Sequence, residues 1–144
     1  MQPRGVADET FIVAAPSDVA MVVADERSWR RWWPDLELRV TRPRGDHGAE
    51  WAVRGAVVGR MEIWLEPFAD GVILHYLLWV DDPGPDTAAT LRRRVRDWKQ
   101  HVHRLKDQLE EGREPGCPRR TAAKPADRAS AGPVKNSATA AEGP

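Results

Sequence analysis

The sequence predicts an α+β domain in which one long C-terminal helix lies across a curved antiparallel sheet of about five strands. Two short helices are expected after the first strand. Three observations carry this. Leu91, Val95, Trp98, Val102, Leu105 and Leu109 recur at alternating steps of four and three, which places them on one helical face. Between Leu36 and Val80 the apolar residues change to a period of two. Between those patterns and the N-terminus, Pro16 and Pro34 bracket two short stretches with helical spacing.

In chain order, Glu9 to Ala14 carries Phe11, Ile12 and Val13 and ends at Ala15-Pro16, so it is read as the first strand. Pro16 pre-sets a helical start, Ser17 or Asp18 can satisfy free first-turn amides, and Val19, Val22 and Val23 form the apolar stripe. Glu26 to Trp33 is a second helix closed by Pro34. Its Trp29, Trp32 and Trp33 bring more apolar area than so short a helix can bury alone.

Leu36, Leu38 and Val40 alternate with Glu37, Arg39 and Thr41, and Arg44 to Gly48 makes a turn. Glu50 to Gly55 sets Trp51 and Val53 on one face, and Arg60 to Phe68 sets Met61, Ile63 and Leu65 on one face. Ala69-Asp70-Gly71 reads as a three-residue hairpin turn leading into Val72 to Val80. That last strand is apolar on both faces. Asp81 to Asp86 breaks it, and Asp86 or Thr87 can cap the long helix, read from Thr90 to Glu111 with its stop at Gly112. Such a helix is roughly 30 Å long at about 1.5 Å per residue, enough to cross a small domain.

Only about 112 of the 144 residues have the composition of a folded domain. Residues 1–7 read as a flexible N-terminus, 8–112 as the domain, and 113–144 as a disordered, basic, Ala/Pro-rich tail whose one large aliphatic residue is Val134. Net charge is zero, with 16 basic and 19 acidic residues up to residue 112 against six and three after it. So slight an imbalance gives no nucleic-acid footprint. The N-terminus lacks a signal-peptide core and no apolar run reaches the roughly 20 residues of a membrane span, so a cytoplasmic protein without an integral membrane segment is expected. Cys117 stands alone, which excludes disulfides and cysteine-based metal sites within one chain.

The segments IVAAPSDVAMVVADERSWRRWWPDL and MEIWLEPFADGVILHYLLWV, followed by the long helix, resemble the START-like helix-grip superfamily, also called SRPBCC. Within it they are most similar to the polyketide cyclase/dehydrase and lipid-transport type. An A-P-x-x-V helix start, a W-x-x-W-x-P segment and an L-x-P-x-x-D-G-V hairpin carry the resemblance, over roughly Asp8 to Gly112. It implies a sheet wrapped around the C-terminal helix, with a cavity between them for a hydrophobic or amphipathic small molecule. The sheet is shortened, with four strands between Leu36 and Val80 where six are usual in the family.

Matched to the family hairpin, Ile63, Leu65, Leu74, Tyr76 and Leu78 face Val95, Trp98, Val102 and Leu105, joined by Trp51 and Val53. These residues either fill a core or, with Trp29, Trp32 or Trp33, line a pocket mouth. No cofactor and no metal are implied. His101 and His103, two apart on a helix, diverge by about 200° and cannot chelate as an i, i+4 pair does. An enzyme reading, a polyketide cyclase-like activity, rests on Tyr76 as its single inward candidate. His75, Glu62, Glu66 and Arg54 fall on the outer face.

Two surface features remain. Trp64, Ile73, Leu77 and Trp79 project outward from neighbouring strands, an apolar patch suited to a homodimer or a protein partner. Arg92, Arg93, Arg94 and Arg96 form either a solvated face or a seat for an anionic head group.

Overall fold

The computed structural model describes residues 4–111. The elements are β1 (Gly5–Ile12), α1 (Pro16–Ala24), α2 (Glu26–Trp32), β2 (Leu36–Pro43), a 3-10 turn (Gly45–His47), β3 (Gly48–Gly55), β4 (Gly59–Phe68), β5 (Gly71–Val80) and α3 (Thr87–Leu109). All neighbouring strands are antiparallel, in the order β1-β5-β4-β3-β2. The α+β class, the five strands, the long last helix and the two short helices are those expected.

Alternation decides which face is buried. On β5 the residues Val72, Leu74, Tyr76 and Leu78 are buried, while Ile73, His75, Leu77 and Trp79 are half-exposed. On β4 Met61, Ile63 and Leu65 share the buried face. Onto it α3 packs Leu91, Trp98, Val102 and Leu105, and α1 adds Val19, Ala20 and Val23. Trp33 lies parallel to Trp98 at 5.6 Å and to Tyr76 at 6.4 Å, and Tyr76 to Trp98 at 4.9 Å. Trp51 meets Trp33 and Trp29 edge-on at 5.8 and 5.4 Å. Each such pair contributes about 0.5–1.5 kcal/mol beyond its buried area.

Several local expectations are corrected. The first strand runs from Gly5 rather than Glu9, taking in residues assigned to a flexible N-terminus, and ends at Ile12 rather than Ala14. Its inward positions include Asp8 and Thr10, which broke the apolar alternation. Both are partnered by α3: Lys99 Nζ lies 2.9 Å from Asp8 Oδ1 and 3.4 Å from Thr10 Oγ1. Beyond the strand, the Val13 N–H donates to the Glu110 carboxylate at 2.7 Å. The segment 113–144 lies outside the described residues.

The long helix begins at Thr87, a turn earlier than Thr90, with Asp86 at its N-cap position but no side-chain cap bond; Thr87 instead accepts from the Gly84 N–H at 2.7 Å. Neither Ser17 nor Asp18 caps α1, whose N-cap position is Ala15 with Pro16 next. In α2 the cap is Asp25, which accepts from the Arg27 N–H at 2.9 Å.

The β4–β5 turn has two residues, not three, because Phe68 pairs directly with Gly71. Ala69 then sits at φ +51°, where an L side chain crowds the following carbonyl at a cost of about 1–2 kcal/mol. Ala69→Gly is expected to raise unfolding free energy by about 1 kcal/mol in urea denaturation. Trp98→Ala, by removing the middle of the aromatic cluster, should lower it by about 3–5 kcal/mol in the same measurement.

Candidate functional site

The inward-facing residues expected to line a cavity are packed against one another. Trp51, Ile63, Leu65, Leu74, Leu78 and Val102 have no exposed surface, and Val53, Tyr76 and Trp98 have almost none. Val95 departs from expectation: it is half-buried on α3 and lies outside the core cluster. The indole N–H groups of Trp51 and Trp98 are buried without a hydrogen-bond partner among the described residues.

Tyr76 is enclosed in the same way. Burial pushes its phenol far above the ordinary tyrosine value; the charge of Arg94 opposes this shift and that of Asp8 adds to it. At physiological pH the group is a neutral phenol, able to donate a hydrogen bond but unable to act as a base.

Space opens where the corner between α2 and β2 faces α3. A groove of about 480 Å³ runs there, walled by Trp32, Trp33 and Trp98 and rimmed by Arg31, Arg93, Arg94, Asp97 and His101. Pro34 forces the chain out of α2 and swings Trp33 under the groove. Across its mouth Arg94 forks onto Asp35, with Nη1 2.9 Å from Oδ1 and Nη2 2.5 Å from Oδ2.

The electrostatics favour anions. Arg94 hydrogen bonds hold the Asp35 carboxyl below the usual carboxylate range, against a smaller opposing effect of burial. His101 is pushed below the ordinary histidine value, chiefly by burial and then by the charge of Arg104. The rim thus carries three guanidinium groups against two carboxylates; with Arg94 and Asp35 paired to each other, Arg31 and Arg93 remain against Asp97.

Of the residues read as ligand-binding, Trp33 and Trp98 line this groove. Those two remain buried in the core with Trp51, Val53, Ile63, Leu65, Leu74, Tyr76, Leu78 and Val102; beside β2 and β3 a second groove of about 590 Å³ is lined by Glu37, Arg39 and Arg54. Asp35 was not singled out, since nothing in the local pattern pairs it with a residue 59 positions away. The cluster containing Arg93 and Arg94 was the available signal.

The outer face keeps the expected apolar residues but interleaves them with charge. Trp64 is 39% exposed and stacks on His75 at 4.3 Å, while His75 Nε2 lies 2.9 Å from Glu66 and Nδ1 3.6 Å from Glu9. Arg60 covers Trp79 at 4.5 Å. Arg44 bridges Glu50 and Glu62 beside them. Among the described residues no cluster of three or more His, Cys, Asp or Glu could hold a metal ion, and no helix is long and apolar enough to cross a membrane.

A sheet folded over a long C-terminal helix, with a helix pair after the first strand, is a helix-grip-like arrangement. Solved structures share it. The Aha1 dimer of Colwellia psychrerythraea is similar at a TM-score of 0.58 and 15% identity, over 76% of this chain and 98% of that one. Protein MLL2253 of Mesorhizobium loti is similar at 0.65 and 13% identity, over 77% of this chain and 100% of that one. DynU16, from the dynemicin biosynthetic locus, is similar at 0.55 and 18% identity, over 76% of this chain and 48% of that one. No protein-family model matches the sequence, and no curated protein does. At these identities the likeness is one of fold.

The Arg94–Asp35 fork is open to measurement. By NMR titration the Asp35 carboxyl should titrate below the ordinary value of about 3.9, and Arg94→Ala should return it there. Because the folded value is depressed, the pair's contribution is present above pH about 4 and is lost as pH falls through the lowered value.

Proposed function

We propose that this protein binds a hydrophobic or amphipathic small molecule, lipid- or polyketide-like, between the sheet and the C-terminal helix. The molecule sits in the groove over Trp33 and Trp98 rather than deep in the domain. Its apolar part lies against the few exposed edge atoms of Trp32, Trp33 and Trp98, whose faces are stacked within the core, and an anionic end competes with Asp35 for Arg94 and meets Arg93. The observation that carries this is the coincidence, in one groove, of an aromatic wall and an arginine rim. Ligand sites are commonly mostly apolar with a few placed polar groups. The similarity in fold to a protein of the dynemicin biosynthetic locus, and the resemblance to lipid-transport and cyclase-type helix-grip proteins, fit a ligand of this kind. The same reading places the protein in the cytoplasm.

A catalytic alternative, cyclisation or dehydration of a polyketide-like substrate, has less support, because Tyr76 is its one inward candidate and is sealed beneath Trp33 and Trp98. A second reading is favoured by the exposure of Trp64: a second copy or another protein docks on the outer face through Trp64, Ile73, Leu77 and Trp79. The Colwellia psychrerythraea structure of similar fold is an Aha1 dimer, which is compatible with that reading.

Binding is tested with 1-anilinonaphthalene-8-sulfonate, a flat aromatic anion, followed by its fluorescence and by quenching of tryptophan emission. Saturable binding is expected, weakened about tenfold or more by Arg93→Ala with Arg94→Ala, in line with loss of two charge-assisted contacts. Tyr76→Phe should leave it nearly unchanged. Binding indifferent to the arginines, or none, would sink the proposal.

A further inference from the structure

We infer that β2 is a self-complementary edge through which two copies of this chain join their sheets into one. The sheet has two free edges, and they are treated differently. On the β1 side α3 closes the edge: Lys99 donates to the Glu9 carbonyl at 3.3 Å, Lys106 to the Phe11 carbonyl at 2.7 Å, and Glu110 takes the Val13 N–H. These are the charged side chains and covering helix by which an exposed strand is blunted. On the other side β2 ends the sheet, and among the described residues α3 reaches no further than the Arg94–Asp35 pair before the strand begins. A bulge between Val40 and Arg42, followed by Pro43, confines the open edge to Leu36 to Val40, within which the Leu36 N–H is already taken by the Trp33 carbonyl at 3.1 Å.

That five-residue stretch, Leu-Glu-Leu-Arg-Val, matches an antiparallel copy of itself in one register. Centred on Leu38, the pairing sets Leu36 opposite Val40, Leu38 opposite its own copy, and each Glu37 opposite the other chain's Arg39. A two-fold axis perpendicular to the sheet keeps both core faces on the same side. Leu36, Leu38 and Val40 then continue one apolar face, and the two ion pairs form on the other.

Other registers fail on charge or on face. Sliding by two residues one way brings Arg39 against Arg39, and the other way Glu37 against Glu37. Sliding by one sets Leu38 against Arg39 and mixes the faces. Within one chain neither Glu37 nor Arg39 has an ion-pair partner among the described residues, and both are exposed. Cross-strand opposite charges stabilise such a pair, and like charges directly opposite destabilise it.

The apolar side has room for the partner. A groove of about 200 Å³ runs beside the edge, lined by Trp29, Trp33, Leu36 and Leu38, and Val40 is 39% exposed. The second copy's Leu36 and Leu38 complete it. The strand pair by itself lies in the small class of interfaces, below about 1,200 Å², so association is expected in the micromolar range.

The full chain is tested by sedimentation velocity across the micromolar range. Wild type is expected to dimerise reversibly. Glu37→Arg and Arg39→Glu should each weaken the dimer about tenfold, by replacing two attractions with two repulsions. The double reversal should restore it, and Trp64→Glu should leave it intact. Leu38→Cys in a Cys117→Ser background should form an intermolecular disulfide on mild oxidation, since directly opposed strand positions lie within disulfide reach. A wild-type monomer throughout, single reversals without effect, a double reversal that fails to restore the dimer, or a dimer lost on Trp64→Glu would overturn the inference.

Discussion

The stacking of Trp33, Tyr76 and Trp98 is the contact on which the rest of this structure depends. Each ring comes from a different layer: the end of a short helix, the middle of the last strand, and the middle of the long helix. A second contact between α2 and α3 backs it up, with Trp32 edge-on to Trp98 at 5.4 Å. The stack also sets the depth at which α3 lies over the sheet. Trp29 and Trp51 brace it from the side, with the Trp29 indole donating to the Val23 carbonyl at 2.6 Å.

The same packing decides where function can lie. Here four strands follow the helix pair, and large aromatic side chains occupy the space they enclose. Interiors pack to near-crystalline density, so filling by three indoles and a phenol leaves little volume beneath them. Open volume is displaced outward to the corner between α2 and α3, where the indoles become a floor and the arginines of α3 a rim. Burial of Tyr76, which suits it to the core, makes it a poor acid–base group.

The lateral edges follow a related logic. The side chains of α3 reach the β1 backbone because the helix runs along that strand, and the lysines and Glu110 that do so also anchor the helix. The helix pair crosses near β2 on its core face but leaves the strand's outward edge uncovered. One sheet therefore presents a closed side and an open side. The open one carries the charge alternation that a second copy could read.

Much of the architecture was legible in the residues, because periodicity is a local property. The steps of three and four from Leu91 to Leu109 placed α3's buried face, with Val95 the exception. It is only half-buried, beside Arg94 and Arg96 at the margin of the stripe. Alternation in 61–65 and 72–78 assigned both faces of the hairpin correctly. The start of β1 was hidden because Asp8 and Thr10 point inward, a pattern that makes sense only once Lys99, about 90 residues later, arrives to pair them. The two-residue turn was hidden by Ala69, whose left-handed backbone is imposed by the paired strands on either side. By itself, then, the sequence determined the helix, the strands and their inward faces, because these follow from the spacing of apolar residues along the chain. The tertiary structure alone decided that those inward side chains would pack against one another, that Arg94 would reach Asp35, and which edge of the sheet would stay open. Each of these depends on distances between segments far apart in the chain.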